Sequence, residues 1–317
     1  MKSTIFVWIV VIITVLIIIS LSINPDEIEY NYFQHYEILK SNSSMNECFY
    51  LDENNEYISI RRHVNLNKLT NKLIIRQKCK DKLLNIKSKQ FDFVLSLERK
   101  PRILRGPEDP RIFMFRNQKY IIFNDGCYKN KVRLFLYNLE NHTEIELKYN
   151  QVNQIEKNWS PFVINNELYV SYSINPHIVF HVDMDNKGFI GICSNFQVNA
   201  KLENPINIFG GTPSIFVHNI SKYLGIGHTY TKGYAGHKRN YYNIAYLFNT
   251  DTSLHKLSKP FLFNKQDQFL MPWKLQNVEF PVGLQIIDHD LFVSIGFNDT
   301  QSFLYKINLF TFLHDIF

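Results

Sequence analysis

The sequence predicts an all-β fold, a five-bladed β-propeller behind a single N-terminal transmembrane helix. Three observations predict it. Short aromatic and β-branched runs recur along the chain, divided by Asn, Asp and Gly turns. Those runs group into five copies of a three- or four-strand meander, spaced by roughly 50 residues as propeller blades are. One uncharged apolar stretch opens the chain. A β-sandwich of irregular strands is the competing architecture.

The opening stretch comes first. Ser3 to Asn24 carries no charge, and Ile5 to Leu21 is almost wholly apolar. That length matches the roughly 20 residues that cross a bilayer. A cleaved signal peptide has a shorter apolar region and a small-x-small cleavage site, and neither is seen. Residues 1–24 therefore read as a cytoplasmic tip and an uncleaved signal anchor. Lys2 precedes the span and Asp26, Glu27 and Glu29 follow it, which predicts a type II orientation with the large domain lumenal or extracellular. Residues 25–45 are polar and without clear period and read as a stem, leaving 46–317 for the propeller.

Five Asn-x-Ser/Thr sequons, at Asn42, Asn141, Asn158, Asn219 and Asn298, fit a glycoprotein of the secretory pathway. Cys48, Cys79, Cys127 and Cys193 allow two disulfides in three pairings. None has Cys-x-x-Cys spacing, so no metal is expected. The formal charge of +6 is spread along the chain with no basic arm, which argues against a nucleic-acid partner.

The first copy runs from Cys48 to Leu51, then from Tyr57 to Arg62, with Phe91 to Leu97 later. The second is Arg111 to Phe115, a turn at Arg116, Lys119 to Phe123 and Val132 to Tyr137. The third is Pro161 to Ile164, a turn at Asn165, Leu168 to Tyr172 and His177 to Val182. The fourth is Pro213 to Val217, Tyr223 to Gly227 and Tyr241 to Phe248. The last is Val282 to Ile287, a turn at Asp288, Leu291 to Ile295 and Ser302 to Ile307. No stretch of this domain has a strong helical period.

In an antiparallel meander the start of the first strand and the end of the second lie at the same edge. The segments at those positions hold Arg61 and Arg62, Glu108 and Asp109, Asn124 and Asp125, Lys157 to Trp159, Gly210 to Thr212, His228, and Asn298 with Asp299. Nearly every unusual polar cluster of the chain is thus predicted at one mouth, as a binding or catalytic pocket requires. Glu108 and Asp109 stand between Pro107 and Pro110, with Arg111 next. Pro110 disfavours the helical region at Asp109, so Asp109 is expected extended. Alternation would then point the two carboxylates in opposite directions. The bland alternative is a surface turn with an Asp–Arg pair.

These clusters, in this order, resemble glycoside hydrolase family 130, the mannoside phosphorylases and β-mannosidases, with related mannosyltransferases. The likeness runs from about Tyr57 to the C-terminus and is most specific at Gly106-Pro-Glu-Asp-Pro-Arg-Ile, similar to the family's Gly-x-Glu-Asp-Pro-Arg hallmark. Glu156 to Phe162, Gly210 to Ile215 with Gly227-His228, and Gly283 with Gly296 to Asp299 resemble its other segments. The resemblance implies a five-bladed propeller acting on β-mannosides by mannosyl transfer or glycosidic cleavage. It implies Asp109 as general acid, working through a sugar hydroxyl, and Arg61 or Arg62, Lys157, His228 and Asp299 around the sugar. Glu108, Asn158 and Trp159 join the expected substrate-binding set, and Arg111 is expected to hold the Asp109 carboxylate. An oligosaccharide or glycan is the expected partner, with no cofactor unless inorganic phosphate or a sugar phosphate serves as co-substrate. The chain departs from the phosphorolytic members at Ser171 to Ser173, where they carry a His-Arg pair. Phosphorolysis is the less favoured reaction for that reason. A glycan-binding propeller without turnover is the alternative function.

Overall fold

The structure is a computed structural model that describes residues 29, 31–42, 45–51, 57–65, 70–78, 93–95, 107–128, 131–148, 155–184, 191–197, 207–232, 239–263 and 278–317. Within them the aromatic and β-branched runs form strands, and the described residues are all-β apart from the helix at 309–316 and the 3-10 turn at 218–220. Residues 3–24 lie outside the described residues, and among those described no helix is long and apolar enough to cross a membrane.

Two short strands come first, β1 (Asn31–Tyr32) and β2 (Glu37–Asn42). The first meander is β3 (Met45–Leu51), β4 (Tyr57–Asn65), β5 (Thr70–Lys78) and β6 (Phe93–Leu95). The second is β7 (Glu108–Phe115), β8 (Gln118–Tyr128), β9 (Lys131–Asn138) and β10 (Glu144–Lys148). The third is β11 (Ser160–Ile164), β12 (Glu167–Ser173), β13 (Ile178–Asp183) and β14 (Gly191–Gln197). The fourth holds β15 (Ile215–Val217), β16 (Lys222–Lys232), β17 (Arg239–Phe248), β18 (Leu254–Leu257) and β19 (Phe261–Leu262). The last is β20 (Glu279–Ile287), β21 (Asp290–Phe297) and β22 (Gln301–Asn308). At the β7–β8 and β11–β12 hairpins, Arg116 and Asn117 (φ 48° and 58°) and Asn165 and Asn166 (φ 49° and 63°) take the paired positive-φ turn whose twist matches the strands.

Hydrogen bonding joins the described strands into four sheets, which corrects the expectation of five separate blades. The cause is local. The outer strands β10 and β14 pair in parallel at Leu147↔Gly191 and Lys148↔Ile192, fusing the second and third meanders into one eight-stranded sheet.

The cores lie between successive meanders. Ile58 and Ile60 pack with Ile112, Ile121, Phe123 and Val282. Phe113, Phe115 and Ile122 pack with Trp159, Val170 and Phe180. Phe162 and Val179 pack with Tyr223, Ile244 and Phe248. Leu224, Ile226 and Ala245 pack with Leu284, Val293 and Tyr305. Each sheet thus buries its apolar face against its neighbour, and the set runs round in a propeller-like ring.

The N-terminal strands complete the C-terminal sheets. β2 pairs antiparallel with β22 (Ile38↔Tyr305), and β1 runs parallel to β19 (Asn31↔Phe261). Part of the stretch expected as a stem, residues 31–42, is therefore built into the sheets. The chain ends in helix α1 (Leu309–Ile316), where the Asn308 side chain caps the start by accepting from the Thr311 N–H at 3.1 Å, and Leu309 and Phe312 are buried.

Cys48 is free and buried, with Ile112 N–H 3.4 Å from its sulfur. It takes part in neither of the two disulfides expected. The side chains of the other three cysteines lie outside the described residues.

Candidate active site

The site begins with a bulge. Glu108 pairs with Asn124 but Arg111 pairs with Ile122, so three steps along β7 match two along β8. The extra position falls in the Asp109-Pro110 stretch, and Asp109 takes φ 54°. This corrects the extended backbone expected there. Pro110 does keep residue 109 out of the right-handed helical region, but the bulge places it in the left-handed one, which Asp tolerates better than most residues. The carboxylates are not splayed onto unrelated surroundings either. The Asp109 charge acts on both Glu108 and Asp299, and that of Asp299 acts on Glu108.

Glu108 is clamped at both oxygens. Arg62 Nη1 lies 3.1 Å from Oε2, and Asn124 Nδ2 donates to Oε1 at 3.0 Å. Burial, reinforced by the neighbouring Asp109, pushes its carboxyl up to about 7 against the pull of Arg62 and Lys157. Asp299 reaches solvent at the rim, on a turn at φ 53°. Partial desolvation and the Asp109 charge still hold its carboxyl above the usual range, with Arg62 opposing.

Asp109 is held by a residue the sequence reading passed over. Asn46, at the start of β3, donates from Nδ2 to Asp109 Oδ1 at 2.9 Å. The sequence signal was indirect: Gly296 sits where a Cβ would come 2.0 Å from Asn46 Oδ1, so the glycine makes room for the amide.

Arg111 does a different job from the one expected. Its Nη1 donates to the backbone carbonyl of Asp109 at 3.1 Å, and its Nε donates to the carbonyl of Gly211. It therefore fixes the bulge and ties it to the chain entering β15, while the Asp109 charge acts on its guanidinium. The guanidinium is fully buried, with its carbon 5.9 Å from the centre of the Phe280 ring. Gly211 has to be glycine, since a Cβ there would meet Ile226 O at 2.4 Å.

The remaining expected residues divide. Lys157 is exposed at the mouth, and its charge reaches Glu108 and His228. Asn158 is buried at φ 64° with its Oδ1 lacking a hydrogen-bond partner. Trp159 is a correction: at 1% exposure its indole packs edge-on against Tyr172 and Phe180 and belongs to the core. Arg61 and Arg62 are neighbours on β4, so their side chains leave opposite faces, and Arg62 is the one paired with Glu108.

His228 is buried between aromatic rings, with Phe209 and Tyr241 stacked at 5.6 and 5.3 Å and Phe280 tilted at 4.9 Å. Burial, aided by Arg111 and Lys157, pushes its imidazole down to about 3. It is therefore neutral near pH 7, and cannot serve there as a cation for phosphate. Its Nδ1 is buried without a hydrogen-bond partner. Arg62 Nε, Arg111 Nη2, Asn124 Oδ1 and Asn158 Oδ1 share that condition, which collects unsatisfied donors and acceptors around one mouth.

No family model matches the sequence, and no curated protein matches it. Solved structures do. A β-1,2-mannobiose phosphorylase from Listeria innocua aligns with a TM-score of 0.60 at 13% identity, covering 94% of this chain and 96% of its own. A mannose phosphorylase from Leishmania mexicana aligns at 0.53 and 11%, covering 92% and 91%. A glycosyl hydrolase from Bacteroides ovatus aligns at 0.56 and 13%, covering 84% of each chain. At this identity the likeness establishes the propeller fold over nearly the whole chain.

Proposed function

We propose that the chain is a carbohydrate-active enzyme acting on β-mannosides, by mannosyl transfer or glycosidic cleavage, with Asp109 as the general acid. In this reading the fused eight-stranded sheet counts as two blades, giving a five-bladed propeller. The observation that carries the reading is the cluster of Glu108, Asp109 and Asp299 with Arg62 at one mouth. Glycoside cleavage passes through an oxocarbenium-like transition state and needs a proton for the departing oxygen. Both oxygens of Glu108 are already occupied by Arg62 and Asn124, whereas Asn46 donates to Oδ1 of Asp109, which favours Asp109 as the carboxyl whose other oxygen serves that proton. Glu108, Asp299, Arg62 and Lys157 then bind sugar hydroxyls. The unsatisfied atoms of Asn124, Asn158 and His228 are suited to the same hydroxyls.

Phosphorolysis is the less favoured outcome. Where the phosphorolytic members have their His-Arg pair, Ser171 is buried and bonded to His177 at 2.9 Å, and His228 carries no charge to offer an anion. Residues 3–24 would anchor the protein in a membrane with the propeller on the lumenal or extracellular side. Digestion of the propeller by protease added to sealed vesicles with a cytoplasmic-side-out orientation would refute that topology.

The test is incubation of the protein with β-linked manno-oligosaccharides, with and without inorganic phosphate, followed by product analysis. Free mannose or an elongated oligosaccharide in the absence of phosphate is the expected product. Mannose 1-phosphate formed only with phosphate would overturn the preference against phosphorolysis. Binding of the oligosaccharide with no product under any condition would leave a glycan-binding propeller in place of an enzyme.

A further inference from the structure

We propose that Asn46 is a positioning residue for Asp109, and that Gly296 is the element that lets it act. The proposal concerns how the general acid is aimed, and its kinetic part rests on the β-mannoside reading above.

Asp109 occupies a left-handed position on a bulge, so its own strand does little to fix its side chain. Arg111 secures only the backbone of that residue. Among the described residues, the carboxylate itself is bonded from another meander, through Asn46 Nδ2 at 2.9 Å. Asn46 is itself confined. It is 5% exposed, its backbone is left-handed at φ 44°, and its amide lies against the bare Cα of Gly296 on β21. The neighbouring residues on β3 are tied to the same last sheet, through Glu47 N–H to Ser302 Oγ and Phe49 N–H to Ser294 Oγ. Asp109 is thus aimed by a contact that spans the first, second and last meanders. A proton donor misplaced by about 1 Å loses on the order of 100-fold in rate, so this contact should govern turnover.

The experiment compares the full-length protein with Asn46→Ala, Asn46→Asp and Gly296→Ala, each checked for an intact thermal transition. Asn46→Ala should lower kcat by roughly 10- to 100-fold with KM changed little. The loss should fall on kcat and not on KM, because the carboxyl is misaimed while the sugar-binding groups stay in place. Asn46→Asp keeps the shape but replaces the donor by a second carboxylate. It should lose activity near neutral pH and regain part of it in acid, as the new carboxyl takes a proton. Gly296→Ala displaces the amide without touching Asp109 and should reproduce the Asn46→Ala signature. A purely structural role would lower the melting temperature and leave kcat of the folded variant in place, and that result overturns the proposal. If the wild type turns over no mannoside, the function fails but this inference remains testable. The side-chain carboxyl 13C signal of Asp109, assigned by its loss in Asp109→Asn, should change its chemical shift in Asn46→Ala relative to the wild type at one fixed pH, because the amide donor to Oδ1 has gone. An unmoved signal would overturn the proposal regardless of substrate.

Discussion

Two histidines on neighbouring elements show how the mouth differs from the core behind it. His177 and His228 are both buried, and burial holds both imidazoles low, at about 4 and about 3. His177 is satisfied on each side, by Ser171 at 2.9 Å and by the carbonyl of Thr252 at 2.7 Å. Its serine is one of several hydroxyls around Tyr246, which also bonds Ser214 at 2.9 Å. Both ring nitrogens of His177 are thus completed, although Thr252 Oγ1 beside it lacks a hydrogen-bond partner, and such a buried network holds the fold together. His228 keeps a buried Nδ1 without a partner and sits among rings at the mouth, in company with other unsatisfied atoms. A group left unsatisfied in a well-packed protein costs about 1–3 kcal/mol, and a ligand can return it. The difference between a completed ring and an incomplete one separates structure from site more sharply than burial does.

The strongest way to break this comparison is Asp109→Asn. The amide keeps the shape, still accepts from Asn46, and removes the transferable proton. Turnover should fall by roughly 10² to 10⁴-fold while the melting temperature and sugar binding persist. A folded variant with unchanged turnover of a confirmed substrate would remove Asp109 from the mechanism.

The histidines come next and should part company. His177→Phe strands the Ser171 hydroxyl and the Thr252 carbonyl, so it should cost about 1–3 kcal/mol of stability in chemical denaturation and leave mannoside affinity alone. His228→Phe also removes a ring hydrogen bond to the backbone of Gly210, so it should cost stability too, though less than His177→Phe, which loses two bonds. Its effect should appear as weaker sugar binding, by about 10-fold for one lost hydrogen bond. Equal stability losses with unchanged affinity in both would mean that the open Nδ1 has no bearing on ligand.

What the sequence could show depended on range. The strands and their hairpin turns were legible because period-2 alternation and paired asparagines are local signals, as at Asn165 and Asn166. Meander geometry predicted Glu108, Asp109, Arg62, Lys157, His228 and Asp299 at one edge, and the charges of Asp109, Arg62, Lys157 and Asp299 do act on Glu108, as that of Lys157 does on His228. Other features are set across the molecule. The parallel contact of β10 with β14 and the capture of residues 31–42 by the last sheets join segments far apart in sequence. The bulge at Asp109 is invisible to an alternation rule, because an inserted residue changes the register without changing composition. Trp159 stands with Lys157 and Asn158 in the expected substrate-binding set, yet it packs in the core. Its neighbours Tyr172 and Phe180 come from later strands and could not be read beside it. Helix α1 is only eight residues long, too short to show a period above its Phe and Thr content.

The smallest effect expected is also the most specific to the mouth. Glu108 is raised to about 7 in the folded chain against an ordinary value of about 4.5. A carboxyl raised on folding makes the native state bind the extra proton, so its contribution to stability is fully present in acid and is lost as pH rises through about 7. His177 and His228 act in the opposite sense. Their folded values lie below the ordinary 6.5, so the unfolded chain binds the extra protons and stability falls as pH drops below about 6.5. Between about pH 5 and 6 the two histidines thus favour unfolding by two protons while Glu108 opposes them by one. Glu108→Gln keeps the shape between Arg62 and Asn124 and removes the opposing proton. Relative to wild type, its unfolding free energy should fall more steeply on acidification, by about 1.4 kcal/mol per pH unit over that window. Other titrating groups are common to both proteins and cancel in the difference. Denaturant titrations at pH 5.0, 5.5 and 6.0 would measure it. Parallel curves for the two proteins would mean that Glu108 is already ionised across this range. The proton it is expected to hold near neutral pH would then be absent from the mouth.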